Sequence, residues 1–152
     1  MEDSAMIDMI GRAQDLVANG DREGALALYN ALWAEATRVE DQYQACIVGH
    51  FMAHAHIEPE AQLVWHLRAL QRANAVGDER VLAFYPSLHA NLGDVYLRLG
   101  NLAQAQEHID KAREAEHILP DDGYGRMIRS LIVRLTQTLE GDNLRTDLST
   151  TQ

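Results

Sequence analysis

Cysteine is almost absent. Cys46 is the only one in 152 residues. An internal disulfide and a zinc site made of several thiolates are therefore excluded, and histidines and carboxylates remain as the available metal ligands. Positive charge is also scarce, with 13 basic residues against 23 acidic ones and a formal net charge of -10. Such a chain repels phosphate backbones, which argues against nucleic acid as a partner. Lys111 is the single lysine. No run approaches the roughly eighteen uncharged apolar residues of a membrane helix. The start, Met1-Glu2-Asp3-Ser4, is acidic where a secretory leader is basic. A cytoplasmic protein with no membrane partner is expected. Alternating Val, Ile and Thr runs and the turn pairs of β-hairpins are missing, so no strand is expected.

What is present is 47% hydrophobic residues in a chain long enough for one compact domain. Charge is unevenly spread along it. Residues 1–41 hold nine acids and three arginines, whereas residues 42–77 hold two of each and also His50, His54, His56 and His66. A surface in that neutral stretch is approachable by anions.

Apolar residues recur every three or four positions, interrupted by Gly-Asp, Gly-Asn and Pro signals, and seven helices fit this punctuation. The first, about 4–19, presents Met6, Ile10, Ala13, Leu16 and Val17 and ends at Gly20. The second, capped by Asp21 and reaching about Val39, presents Ala25, Leu28, Leu32 and Ala36. The third, about 42–56, presents Tyr43, Cys46, Ile47, Phe51 and Met52. The fourth opens with Pro59 and runs through Leu63, Leu67 and Leu70 to Gly77. Asp78 caps the fifth, about 79–99, in which Pro86 imposes a kink or a break. In the sixth, Asn101 and Gln104 have capping-box spacing, and Pro120 ends it. The seventh, from Asp122 to Glu140, stacks Ile128, Leu131, Leu135 and Leu139. The polar residues after Gly141 read as a frayed tail.

One piece of punctuation recurs: a small or polar residue ends a helix, and five positions later an alanine lies inside the next. The pairs are Gly20 and Ala25, His56 and Ala61, Gly100 and Ala105. Leu92-Gly93, Tyr96, Gly100, Ala105, Ile109 and Ala112 give the third unit its pattern, with His89 at a position that is usually a large aromatic. The first unit shares Ala13, Leu16, Gly20, Ala25, Tyr29 and Leu32; the second keeps Gly49, Ala61 and Trp65. On these residues the chain resembles the tetratricopeptide repeat family over about 4–120, in particular its small stand-alone bacterial members. The resemblance implies an all-α, right-handed α-solenoid of three helical hairpins, with the helix after Asp122 as a C-terminal cap. The repeat domain would span 1–141, followed by a polar tail over 142–152 that is expected to be disordered.

The resemblance also implies a protein- or peptide-binding scaffold that is not an enzyme and needs no cofactor, with the first helix of each pair lining a concave groove. The residues left free there are Gln14 and Val17, then Cys46, His50 and His54, then Ala90, Asn91, Asp94, Leu97 and Arg98. The cap helix adds Arg126 and Arg129, three apart and therefore neighbours. His50, His54, Asn91, Asp94, Arg98, Arg126 and Arg129 are the expected partner-binding set, since arginine grips a carboxylate bidentately and the others bond a peptide backbone. At the positions of the family's clamp for acidic chaperone C-termini stand Ile10, Gln14, Ile47, Ser87 and Asn91, of which Asn91 alone agrees, so a chaperone adaptor of that type is not expected.

Two other function classes have some support in the sequence. One is a metal-dependent or small-molecule enzyme around the central histidines. His50 and His54, four apart, can place two imidazoles on one ion, but two ligands do not make a site. Glu114-x-x-His117 has the spacing of a di-iron helix without the partners that chemistry requires. Cys46 reads as a small buried thiol, and His66 and His89 as packed structural residues. The other class is a homodimer joined through the first or the seventh helix.

Overall fold

The computed structural model describes residues 1–150, with side chains through 148, so the end of the expected tail lies outside the described residues. Seven α-helices and no strand occur among them: α1 (Asp3–Ala18), α2 (Arg22–Arg38), α3 (Gln42–Ala55), α4 (Pro59–Val76), α5 (Tyr85–Arg98), α6 (Leu102–Ala115) and α7 (Gly123–Thr150). The chain is an all-α helical repeat protein. It divides into two compact units, Met1–Val81 and Leu82–Gln152.

Pro86 produces a break. Residues Glu79–Phe84 wind as a 3-10 helix, and α5 then starts with Pro86 in its first turn, where a missing N–H leaves no bond unmade. Asp78 accordingly caps that short segment, its carboxylate accepting the Arg80 N–H at 3.0 Å. At the other end of the chain, α7 continues ten residues beyond Glu140. No proline interrupts it there, and Arg145 and Thr146 both bond back to Asp142 within the helix.

The turns α1–α2, α2–α3 and α5–α6 share one backbone recipe. A residue with positive φ follows the helix: Gly20 at 85°, Glu40 at 56° and Gly100 at 77°. The next residue's N–H then closes back onto the last turn, Asp21 on the Leu16 carbonyl, Asp41 on Ala36 and Asn101 on Tyr96. This is the Schellman ending, which satisfies orphaned carbonyls. The same residue caps the following helix, because Asp21, Asp41 and Asn101 accept the N–H of Gly24, Gln44 and Gln104. The α3–α4 turn differs, with His56 extended at ψ 147°.

In the first unit, α3 packs against both α1 and α2 and forms a hairpin with α4. Its core joins Met6, Ile10 and Ala13 of α1 with Ala25, Tyr29 and Leu32 of α2, Val48, Met52 and Ala53 of α3, and Trp65 of α4. Buried Gln44 ties the first turn of α1 to α3, its side-chain N–H groups reaching the Met1 carbonyl at 2.6 Å and Asp3 at 2.9 Å. The expected leucine face of α4 is corrected: Trp65, His66, Ala69 and Ala73 are buried, while Leu67 is 39% exposed. The reason is close approach. A Cβ on Gly49 would lie 3.5 Å from Ala69 Cα, a separation at which leucines do not fit between α3 and α4.

In the second unit, α7 packs against both α5 and α6. Ala90, Ala105, Ile109 and Ala112 meet Ile128, Ile132, Leu135 and Leu139 of α7, with Leu119 closing the end. Gly93 lets α5 and α6 touch, since a Cβ there would stand 2.7 Å from Ile109 Cγ1.

Candidate functional site

The seven expected partner-binding residues fall into two groups. His50 and His54 belong to the first unit, and Asn91, Asp94, Arg98, Arg126 and Arg129 to the second. On α5, Asp94 and Arg98 form an exposed i,i+4 ion pair at 3.2 Å, with side chains about two-fifths exposed. Asn91, one turn earlier, is only 8% exposed and donates to the Ser87 hydroxyl at 3.4 Å. Arg126 is exposed and 4.0 Å from Asp121. Arg129 is engaged internally, bonding the Leu119 carbonyl at 2.8 Å and the Pro120 carbonyl at 3.2 Å. It pins the turn that leads into α7, where Asp122 accepts the Gly125 N–H. Of the five, Asp94, Arg98 and Arg126 present charge to solvent.

In the α3–α4 hairpin, three imidazoles gather. The ring of His54 lies 4.9 Å from His50 and 5.1 Å from His66, with His50 and His66 6.3 Å apart. His54 is exposed, whereas His66 is buried. Burial, assisted by the charge of His54, pushes the pKa of His50 down to about 4, so this ring is neutral at physiological pH. Among the described residues, no group of three or more His, Cys, Asp or Glu is disposed to hold a metal ion. Cys46 is buried, and burial pushes its thiol up to about 12; it is not a thiolate nucleophile. His117 bonds the Glu114 backbone carbonyl at 2.9 Å, a local contact at the end of α6.

A second histidine pair joins α5 and α6. His89 and His108 face each other with Nδ1 atoms 3.0 Å apart and rings stacked at 5.2 Å. Tyr85 stacks on His89 at 6.0 Å and Tyr96 on His108 at 5.6 Å, making a four-ring column. His89 has the packed role expected for it. His108 was missed, although its place three residues after Ala105 on the buried stripe of α6 was a usable signal. Also missed was the aromatic and guanidinium layer of the first unit, where Trp33 and Trp65 meet edge to face at 5.0 Å. Arg72 lies over Trp33 and Arg68 over Trp65. Because Trp33 and Trp65 are 32 positions apart, local spacing could not join them.

No curated protein and no solved structure matches the chain. A family model described as tetratricopeptide repeat matches residues 86–111, which is α5, the turn at Gly100 and most of α6. Over those residues the α5–α6 hairpin is similar to a tetratricopeptide repeat, and the all-α chain built around it is consistent with a protein of the tetratricopeptide repeat family.

Proposed function

We propose that the protein is a non-enzymatic scaffold that binds a protein or peptide segment, and that the free face of α5 is its principal contact surface. The observation that carries this reading is the tetratricopeptide repeat at 86–111, a repeat that suggests a protein-interaction scaffold, together with the charged pair that its first helix leaves exposed. An exposed i,i+4 pair holds itself together by only about 0.3–0.5 kcal/mol. Asp94 and Arg98 therefore exchange each other for a partner's groups at little cost. Arg98 supplies a planar fork for a carboxylate and Asp94 accepts backbone or side-chain N–H groups. Arg126 adds a second guanidinium on α7, and His50 and His54 serve as polar contacts on the first unit.

The test is affinity capture from lysate of the source organism, with the full chain run beside an Asp94→Ala, Arg98→Ala double variant and mass spectrometry of what is retained. Asn91 is left intact because it is buried and its removal would disturb the helix. A protein retained by the wild type and lost by the folded variant supports the reading. Equal retention by both removes α5 as the contact surface.

Self-association is a second reading with an observation of its own. Met127, Val133, Leu144 and Leu148 on α7 are each more than half exposed. A monomer mass by light scattering at high protein concentration would dispose of it.

A further inference from the structure

We propose that the α5–α6 hairpin carries an acid-sensitive clasp: the His89–His108 pair holds the two helices together while it binds at most one proton and drives them apart when it binds two. The argument rests on geometry. A hydrogen bond between two Nδ1 atoms at 3.0 Å needs an N–H on one ring and a lone pair on the other. A neutral pair meets that need, and so does a pair sharing a single extra proton. With two, both nitrogens are donors and the bond is lost. Two cationic rings then stand stacked at 5.2 Å in a site where His108 is only 6% exposed to screening water.

The groups around the pair do not absorb that second charge. On α6, Glu107 favours the protonated rings and Lys111 opposes them, but these two are bonded to each other at 3.1 Å and their fields largely cancel. On α5, the flanking rings are Tyr85 and Tyr96, which bring no carboxylate to the pair. From α7, which packs against both helices, Tyr124 engages the Ser87 hydroxyl and Arg129 the carbonyls of Leu119 and Pro120, so neither supplies a counter-charge. Burial, reinforced by the charge of His108, accordingly pushes His89 down to about 4, and burial lowers His108 as well. The pair bridges positions 19 apart, so its rupture removes one of the contacts that hold α5 against α6. Acid would thereby loosen the helix that carries Asp94 and Arg98, a consequence independent of which partner binds there.

The experiment compares thermal unfolding of the full chain and of His89→Phe at about pH 7 and about pH 5, above the carboxylate range and below the ordinary histidine value. Phenylalanine keeps an aromatic ring and leaves His108 as the only titrating member, so two charges can no longer meet there. The wild type is expected to lose several degrees more on acidification than the variant does, whereas equal losses would overturn the proposal. Should the variant fail to fold, the imidazole resonances of the wild type decide. The second protonation of the pair is expected to coincide with loss of native signals from α5 and α6. Two rings that titrate independently near pH 6.5 in an intact native spectrum would overturn it.

Discussion

The Nδ1 atoms of His89 and His108 stand 3.0 Å apart across the α5–α6 hairpin, and a hydrogen bond between them requires a lone pair on one ring and therefore at least one neutral imidazole. His50, in the other unit, is likewise held neutral by burial. Both hairpins that contain histidine clusters are thus built for neutral imidazole, and their stability should follow pH accordingly.

The sign of that dependence is set by the unfolded state. A histidine that titrates near 6.5 when unfolded and near 4 when folded binds more protons unfolded, so stability rises with pH. It is complete above about 6.5 and is lost as pH falls toward 4, on the order of 1–3 kcal/mol for each such histidine. Denaturant titrations at about pH 7 and about pH 5 should show a lower midpoint at the acid value. An unchanged midpoint would mean that these rings titrate normally.

Glu40 adopts a φ of 56° at the turn where the other two copies have glycine. A left-handed conformation costs a side-chain-bearing residue about 1–2 kcal/mol, and glycine returns about 0.5–1 kcal/mol of that through its freer unfolded chain. Glu40→Gly should therefore stabilise the protein by about 0.5–1 kcal/mol, measurable by calorimetry. A drop in melting temperature would show that the Glu40 side chain contributes more than its strained backbone costs.

Gly93 has no room for a side chain, because Ile109 Cγ1 would lie 2.7 Å from its Cβ and Ile109 itself is 1% exposed. Overpacking costs about 1–3 kcal/mol, and alanine's helix preference recovers up to about 1 kcal/mol. Gly93→Ala should be mildly destabilising and Gly93→Val clearly more so. Equal melting temperatures for wild type and Gly93→Val would contradict the close contact of α5 with α6.

At the start of α7, Gly125 faces the Pro120 carbonyl so closely that any Cβ would collide with backbone oxygen. The Arg129 guanidinium binds that same carbonyl and the one before it. Gly125→Ala should destabilise the second unit strongly, since the obstacle is backbone. Arg129→Ala should cost about 1–2 kcal/mol, in line with charged hydrogen bonds that are partly exposed. Near-wild-type hydrogen exchange in α7 of Gly125→Ala would refute this account of the turn.

Much of the fold was legible because its determinants are local. Periodicity located every helix, and Gly20, Gly100, Asp21 and Asn101 marked turns that the backbone then forms with the expected caps. The α2–α3 turn uses the same ending but hides it, since glutamate rather than glycine occupies the left-handed position. The core face of α4 was misjudged because leucines at 63, 67 and 70 make a good stripe in isolation. Contact with Gly49 on α3 selects Ala69 and Ala73 instead.

The resemblance placed His50, Asp94, Arg98 and Arg126 among the expected contact residues, but neither it nor spacing carries information on which side chains are already engaged. Asn91 turns to Ser87 and Arg129 to two carbonyls ten and nine residues back. The sequence by itself determined the helical composition, the hairpin punctuation and the repeat signature at α5–α6, all of which follow from contacts within a few turns of chain. Only the tertiary structure decided which histidines meet, which arginines stay free and which faces are buried, because these depend on residues from 9 to 32 positions apart brought together by the folded chain.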